Sequence, residues 1–218
     1  MANILCIETA TTNCSVALGV EGKVRGIREE NDLNYSHSER LHILINELLK
    51  ENDLTLSQLD AIAISKGPGS YTGLRIGVSA AKGLCFSLDI PLISVPTLTS
   101  LAYRVSAPGK IVTMLDARRM EVYTATFNEQ KEQMGDTNAM ILDDGSYLSL
   151  LEDGQVNFIG SGVKKFREIC AHPNAVFIEN ELPSAGEMAG IAQDKFSKTQ
   201  FEDGAYFEPY YLKDFMAG

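Results

Sequence analysis

The sequence predicts an α/β fold of two lobes, the second a shorter copy of the first. Three observations predict it. The chain opens with three strand patterns in a row and then alternates helix and strand. Composition shifts at Ser106-Ala107-Pro108-Gly109, and a similar but weaker series restarts after it. With 218 residues, 44% of them hydrophobic, the chain can fill a sizeable core without disulfide or metal staples. These features place one lobe at residues 1–105 and a smaller one at 106–218.

Ile4-Leu5-Cys6-Ile7 is an unbroken apolar run of the kind that forms a buried strand, ending at Glu8. Ser15–Val20 and Lys23–Arg28 flank Glu21-Gly22, a hairpin turn in which glycine accepts the positive φ. Ser36-His37-Ser38-Glu39 sets Ser three residues before Glu, as in a capping box. The helix it opens carries Leu41, Leu44, Ile45, Leu48 and Leu49 at helical spacing, with Ile43 beside them. Ala61–Ser65 is a strand feeding a glycine-rich loop, from which a helix runs over Tyr71–Leu88. A strand at Pro91–Val95 and a short helix opened by Thr97 close the first series.

The second series has strands at Ile111–Leu115 and Glu121–Phe127, then a polar stretch to Asp144. A strand at Val156–Ile159, a helix from Ser161-Gly162 to Cys170, a strand at Val176–Ile178 and a helix over Ala185–Phe196 follow. The tail Pro209-Tyr210-Tyr211-Leu212-Lys213-Asp214 reads as extended.

A net charge of −10 and a pI near 4.8 make the chain a poor match for nucleic acid on its own, so a partner must supply most of the positive surface. Cys6, Cys14, Cys85 and Cys170 are widely spaced with no C-x-x-C pair, and read as reduced core thiols of a cytosolic protein. The N-terminus enters a strand pattern with no charged-then-apolar leader. The longest apolar stretch, Val78–Val95, is interrupted by Lys82, Asp89 and Pro91, so no membrane span is expected.

The segment from Gly67 to Gly77, Gly-Pro-Gly-Ser-Tyr-Thr-Gly-Leu-Arg-Ile-Gly, carries the most information. Leu74-Arg75 follows Gly73 where a nucleotide-binding P-loop needs Lys and Ser or Thr, and no G-x-G-x-x-G fingerprint occurs. Two readings remain: a helix N-terminus that attracts an anion, or a tight strand-to-helix turn that only packs. Gly73, Gly77 and Ala81 recur every four residues, which puts small residues on one face and allows another helix to pack at short distance. Glu8-Thr9-Ala10-Thr11-Thr12 ends the first strand, and Asp116-Ala117-Arg118-Arg119 sits at the matching place in the second series. Acids and hydroxyls at such turns either hold phosphate or magnesium beside a cleft or satisfy their own backbone. His37 and His42 lie five apart, not on one helix face as zinc ligands would, and His172 stands alone. No catalytic, cofactor-binding or metal-ligating residue is assigned.

Taken together, Ile7–Thr11, Cys14–Leu18, Gly67–Gly77 and Asp116–Arg119 with Glu121-Val122-Tyr123 resemble the bacterial TsaB (YeaZ) family. The resemblance is strongest over residues 1–127 and continues through Gly160-Ser161-Gly162 and Pro209–Leu212. It implies an actin-like ATPase architecture, a two-lobed duplication with mixed sheets flanked by helices. It also implies a non-catalytic subunit of the complex that makes threonylcarbamoyladenosine beside the tRNA anticodon. Such a subunit dimerises with the catalytic paralogue TsaD, joins the ATPase TsaE, and pairs with itself when alone. tRNA is then met only through the complex, and ATP or ADP belongs to the complex rather than to this chain. The acidic balance itself makes direct tRNA contact minor, with Arg75, Arg118 and Arg119 as the residues able to contribute locally.

In the family the two helices after the third and fourth strands meet TsaD as a four-helix bundle. Carried onto this chain, the partner-binding residues are Leu41, Leu44, Ile45, Leu48, Gly73, Arg75, Ile76, Gly77, Ala80, Ala81 and Leu84. Gly67, Pro68, Gly69, Ser70 and Thr72 form the structural loop. The chain lacks the paired histidines that hold TsaD's metal, lacks a glycine after Glu8 and Asp116, and has Met120 where many relatives have glycine. The alternatives are a stand-alone ATP-dependent phosphotransferase of the same fold and an inactive homologue of glycoprotease-like peptidases.

Overall fold

Period-two alternation along the first strand sets up a layered unit. The computed structural model describes residues 2–31 and 37–213; Ser36, the expected helix cap, lies outside them. In β1 (Asn3–Glu8), Leu5 and Ile7 point to one face of a sheet and Ile4 and Cys6 to the other. β2 (Asn13–Val20) and β3 (Lys23–Asn31) follow as antiparallel neighbours, joined by the expected turn at Glu21 and Gly22, both at positive φ. β4 (Ala61–Ser65) and β5 (Leu92–Val95) add in parallel, giving the order β3-β2-β1-β4-β5.

α1 (His37–Glu51) and α2 (Tyr71–Leu88) cover the Leu5 and Ile7 face. Their apolar stripes, Leu41, Leu44, Ile45 and Leu48 on α1 and Leu74, Val78, Ala81 and Cys85 on α2, are buried. A short 3-10 turn, Leu56–Gln58, separates α1 from β4, and α3 (Thr97–Ala102) follows β5.

The chain then repeats the plan. β6 (Lys110–Asp116), β7 (Glu121–Phe127), β8 (Gln133–Ile141), α4 (Leu148–Glu152), β9 (Val156–Ile159), α5 (Val163–Arg167) and β10 (Ala175–Ile178) build a second sheet of order β10-β9-β6-β7-β8. Each strand of this sheet has the same neighbours, in the same orientations, as its counterpart in the first. The duplication read from the sequence is therefore present strand for strand. The copy is shorter in its helices: α4 and α5 have 5 residues each, against 15 and 18 in α1 and α2. Its core is more aromatic, with Phe158 and Phe166 in ring contact with each other and each with Tyr147 and Phe177.

The division of the chain differs from the expected boundary at 105/106. One compact unit runs to Ser100 and also takes Pro183–Tyr211; the other contains Leu101–Leu182. The reason is α6 (Met188–Ser197), which sets Ala189 and Ala192 beside Ile4, Cys6, Ala17 and Ala63 on the free face of the first sheet. The alanines and Gly19 let that helix lie close: a Cβ added at Gly19 would be 3.1 Å from the Ala189 Cβ. α5 also ends at Arg167, short of the expected Cys170, and β8 runs through the stretch read only as polar.

Candidate functional site

The glycines of the loop stand where the chain approaches its own backbone. A Cβ added at Gly69 would be 2.4 Å from Ala10 O, at Gly73 2.1 Å from Thr9 O, and at Gly77 2.2 Å from Thr9 Oγ1. No side chain fits at those distances. Hydrogen bonds hold the contact shut. Thr9 Oγ1 donates to Gly73 O at 2.8 Å, and Ser70 N donates to Ala10 O at 2.7 Å. His37, buried at the start of α1, donates from Nε2 to Thr11 O at 2.7 Å. Of the two readings of this loop, the structure supports the packing turn: its glycines receive the β1–β2 turn.

The other side of the loop is held as well. Gly67, at φ +106°, donates its N–H to Thr97 Oγ1 at 3.0 Å and accepts from Thr97 N at 3.1 Å. Tyr210 N donates to Lys66 O at 2.7 Å, and the Tyr211 ring lies 5.0 Å from that of Tyr71. Ser70 caps α2, its hydroxyl accepting from Gly73 N at 3.3 Å. Pro68 is buried and Thr72 exposed.

Glu8 and Asp116, the two acids at matching strand ends, have opposite environments. Glu8 is fully buried; its Oε1 accepts from Ala10 N at 2.6 Å, and Oε2 has no hydrogen-bond partner. Burial pushes its carboxyl up to about 7, partly offset by hydrogen bonds from Ala10, Ser65 and Thr9, with Glu187 adding a smaller upward push. Asp116 is exposed, accepts from Arg118 N at 2.6 Å and pairs with Lys165 Nζ at 2.9 Å. The topological equivalence is real, but the environments differ: one acid belongs to a core, the other to a surface turn.

The expected partner-binding residues divide by direction. Leu41, Leu44, Ile45 and Leu48 are at most 2% exposed, and Gly73, Gly77 and Ala81 are buried as well. The leucines, Ile45 and Ala81 pack α1 and α2 onto their own sheet, because a helix lying on a sheet buries its apolar stripe there, while Gly73 and Gly77 receive the β1–β2 turn. Arg75 is exposed, and Ile76, Ala80 and Leu84 are half-buried at the flank of the same core. A groove of about 490 Å³ runs between the helices, with Leu41 at its floor and His42, Arg75, Ile76, Ser79 and Ala80 along it.

Sequence reasoning missed the residues that continue this outer face. Phe86 is 90% exposed near the end of α2, and Ile43 projects from α1 at 41%. Gly83, in the middle of α2, has open space where a Cβ would go. The signal was present as Arg75-Ser79-Gly83-Phe86, a second stripe at helical spacing beside the Gly73-Gly77-Ala81 stripe. Arg75 is oriented within it by Tyr71, whose ring centroid lies 5.4 Å from its Cζ.

Among the described residues, no three His, Cys, Asp or Glu side chains come together as metal ligands, and no helix is long and apolar enough to cross a membrane. Cys6, Cys14 and Cys85 are buried free thiols; Cys170 is partly exposed.

Comparison with known proteins agrees with this architecture. The family described as "TsaD: tRNA N6-adenosine threonylcarbamoyltransferase" matches residues 31–215. The chain is 30% identical over 225 residues to the tRNA threonylcarbamoyladenosine biosynthesis protein TsaB of Escherichia coli, covering 98% of this chain and 96% of that protein. It is 34% identical over 198 residues to the Bacillus subtilis protein of the same name, covering 87% and 81%. Among solved structures, YeaZ from Pseudomonas aeruginosa superposes with a TM-score of 0.84 at 29% identity, over 97% of this chain and 100% of that one.

Proposed function

Since the chain belongs to the TsaB family, within the wider group described by TsaD, we propose that it serves tRNA threonylcarbamoyladenosine synthesis as a non-catalytic subunit that docks TsaD through the outer face of α1 and α2. The duplicated α/β fold is of the actin-like ATPase type. The synthesis of threonylcarbamoyladenosine in tRNA is the process for which its relatives are named.

The observation that carries the docking role is the pairing of Gly83 and Phe86 on one exposed stripe. Glycine inside a helix costs about 1 kcal/mol relative to alanine, and Gly83 touches nothing in its own chain that would require it. A fully exposed Phe beside it is equally unexplained by the monomer. A partner helix crossing at Gly83 and covering Phe86 accounts for both. His42 and Ile43 of α1 and Arg75, Ile76, Ser79 and Ala80 of α2 then complete a two-helix face.

The non-catalytic part of the proposal rests on what fills the first lobe's turn. The glycine loop and the β1–β2 turn occupy one another, and Glu8 is sealed beneath them. TsaE joins the pair in this reading, and the same outer face serves a homodimer when TsaD is absent.

Reconstitution tests the function directly. TsaD with TsaE and threonylcarbamoyl-AMP should modify tRNA efficiently only when this chain is added, and the chain alone should convert nothing. Turnover by the isolated chain, or full activity of the others without it, contradicts the proposal.

A further inference from the structure

The eight arginines of the chain divide six to two. Arg25 donates to Asn52 O, Arg28 pairs with Glu51, Arg40 with Glu30, Arg104 with Glu181 and Arg167 with Glu179, and Arg75 lies over Tyr71. Arg118 and Arg119 differ: their side chains meet no acid, carbonyl or ring among the described residues. They are adjacent, exposed, and form the β6–β7 turn.

The turn's acids do not neutralise them. Asp116 is taken by Arg118 N and by Lys165 Nζ, each bond under 3 Å. Glu121 is paired with Lys213, and its carbonyl accepts from Lys165 Nζ at 2.9 Å. Both carboxylates therefore face lysines, and the guanidinium charge is left whole. Exposed Lys164 on α5, next to the Lys165 that reaches this turn, adds to it. In a chain of net charge −10, this concentrates positive charge on one small surface.

The backbone is also unusual. Arg118 has φ +73° and Arg119 φ +47°, a left-handed pair at positions where Gly or Asn is ordinarily found. Two long cations held in that conformation cost stability and gain nothing within the monomer.

We infer that Arg118 and Arg119 grip the phosphate backbone of tRNA within the modifying complex. The inference rests on the function proposed above, which brings tRNA to this protein. Guanidinium groups suit phosphate because their planar fork donates two parallel hydrogen bonds to its oxygens. A turn carrying two of them reads charge rather than base identity, so its effect is on affinity and salt dependence.

The test uses the reconstituted complex with TsaD and an unmodified tRNA transcript, measured by filter binding across a salt series. The variant Arg118→Asn/Arg119→Asn removes both charges and tolerates the left-handed turn; Arg118→Lys/Arg119→Lys retains the charge. The Asn pair should bind tRNA about tenfold more weakly near 100 mM salt, with a log K against log salt slope shallower by about 1.5 to 2. The Lys pair should restore most of that slope. Unchanged affinity and slope in the Asn pair overturn the inference, as does loss of TsaD binding in place of tRNA binding, which would make the turn a protein interface. Failure of the wild-type chain to associate with TsaD would instead refute the function on which the inference rests.

Discussion

Thr9 and Gly73, 64 residues apart, are joined from both directions. The Thr9 hydroxyl donates to the Gly73 carbonyl at 2.8 Å. A Cβ on Gly73 would lie 2.1 Å from the Thr9 carbonyl oxygen. This contact fixes which side of α2 faces the molecule's interior. With Gly73 and Gly77 against the β1–β2 turn, the stripe through Ser79, Gly83 and Phe86 is left outside. The glycines of α2 thus face two directions, inward at Gly73 and Gly77 and outward at Gly83, and they respond differently to substitution.

Gly77→Ala inserts a methyl where Thr9 Oγ1 already sits, 2.2 Å away, and should lower stability by about 1–3 kcal/mol. Gly83→Ala meets open space and should raise the stability of the isolated chain by up to about 1 kcal/mol. Thermal unfolding of the two variants checks the pair, and equal effects would contradict the assigned directions.

Thr9→Val keeps the shape of the residue and removes the hydroxyl that donates to Gly73 O. A loss of about 1 kcal/mol is expected, measured by urea unfolding. A stability equal to wild type would mean that backbone packing alone closes the turn.

Glu8 gives stability a pH dependence. Burial pushes its carboxyl from an ordinary 4.5 up to about 7, so the folded chain holds the proton more tightly than the unfolded chain does. Its contribution is most favourable below the unfolded value and declines as pH rises from 4.5 through 7. Glu8→Gln keeps an acceptor for Ala10 N without the charge. Between about pH 5 and about pH 8, wild type should lose about 2 kcal/mol relative to this variant. A difference that does not change with pH would remove Glu8 as the source.

The thiols should react in order of access. Burial pushes Cys6 up to about 12 and Cys14 and Cys85 up to about 11. Iodoacetamide at neutral pH should label Cys170 first in the native protein and all four cysteines in urea, as counted by intact mass. Early labelling of Cys14 or Cys85 would show that the first core opens readily.

The first unit was legible because its signals are local and strong. The run Ile4–Ile7, the Glu21-Gly22 turn and the start of α2 after a glycine loop each follow from neighbours in sequence. The second unit was less so. β8, Gln133–Ile141, contains Gly, Asp and Asn and is largely exposed, so neither alternation nor β-propensity marks it. α4 and α5 are too short for helical periodicity to appear. The return of α6 to the first sheet is a tertiary choice, visible only when small residues such as Gly19 and Ala189 are seen face to face.

The residues expected to bind a partner illustrate a different limit. Periodicity identified an apolar stripe on α1 and a small-residue stripe on α2, but both kinds of stripe suit a sheet and a partner equally. Packing assigned Leu44, Leu48, Gly73 and Gly77 to the chain's own sheet and turn. Likewise, nothing in the residue types forecast positive φ at Arg118 and Arg119, since side chains other than Gly, Asn and Asp seldom adopt it.

The outward direction of α2 is tested most directly by sedimentation equilibrium of the chain mixed with TsaD, comparing wild type with Gly83→Arg. An arginine at that position projects into the space a partner helix would need and disturbs nothing inside the monomer. The variant should bind TsaD at least about thirtyfold more weakly, equivalent to about 2 kcal/mol, while melting no lower than wild type. Undiminished association of Gly83→Arg with TsaD would place the interface elsewhere on the molecule.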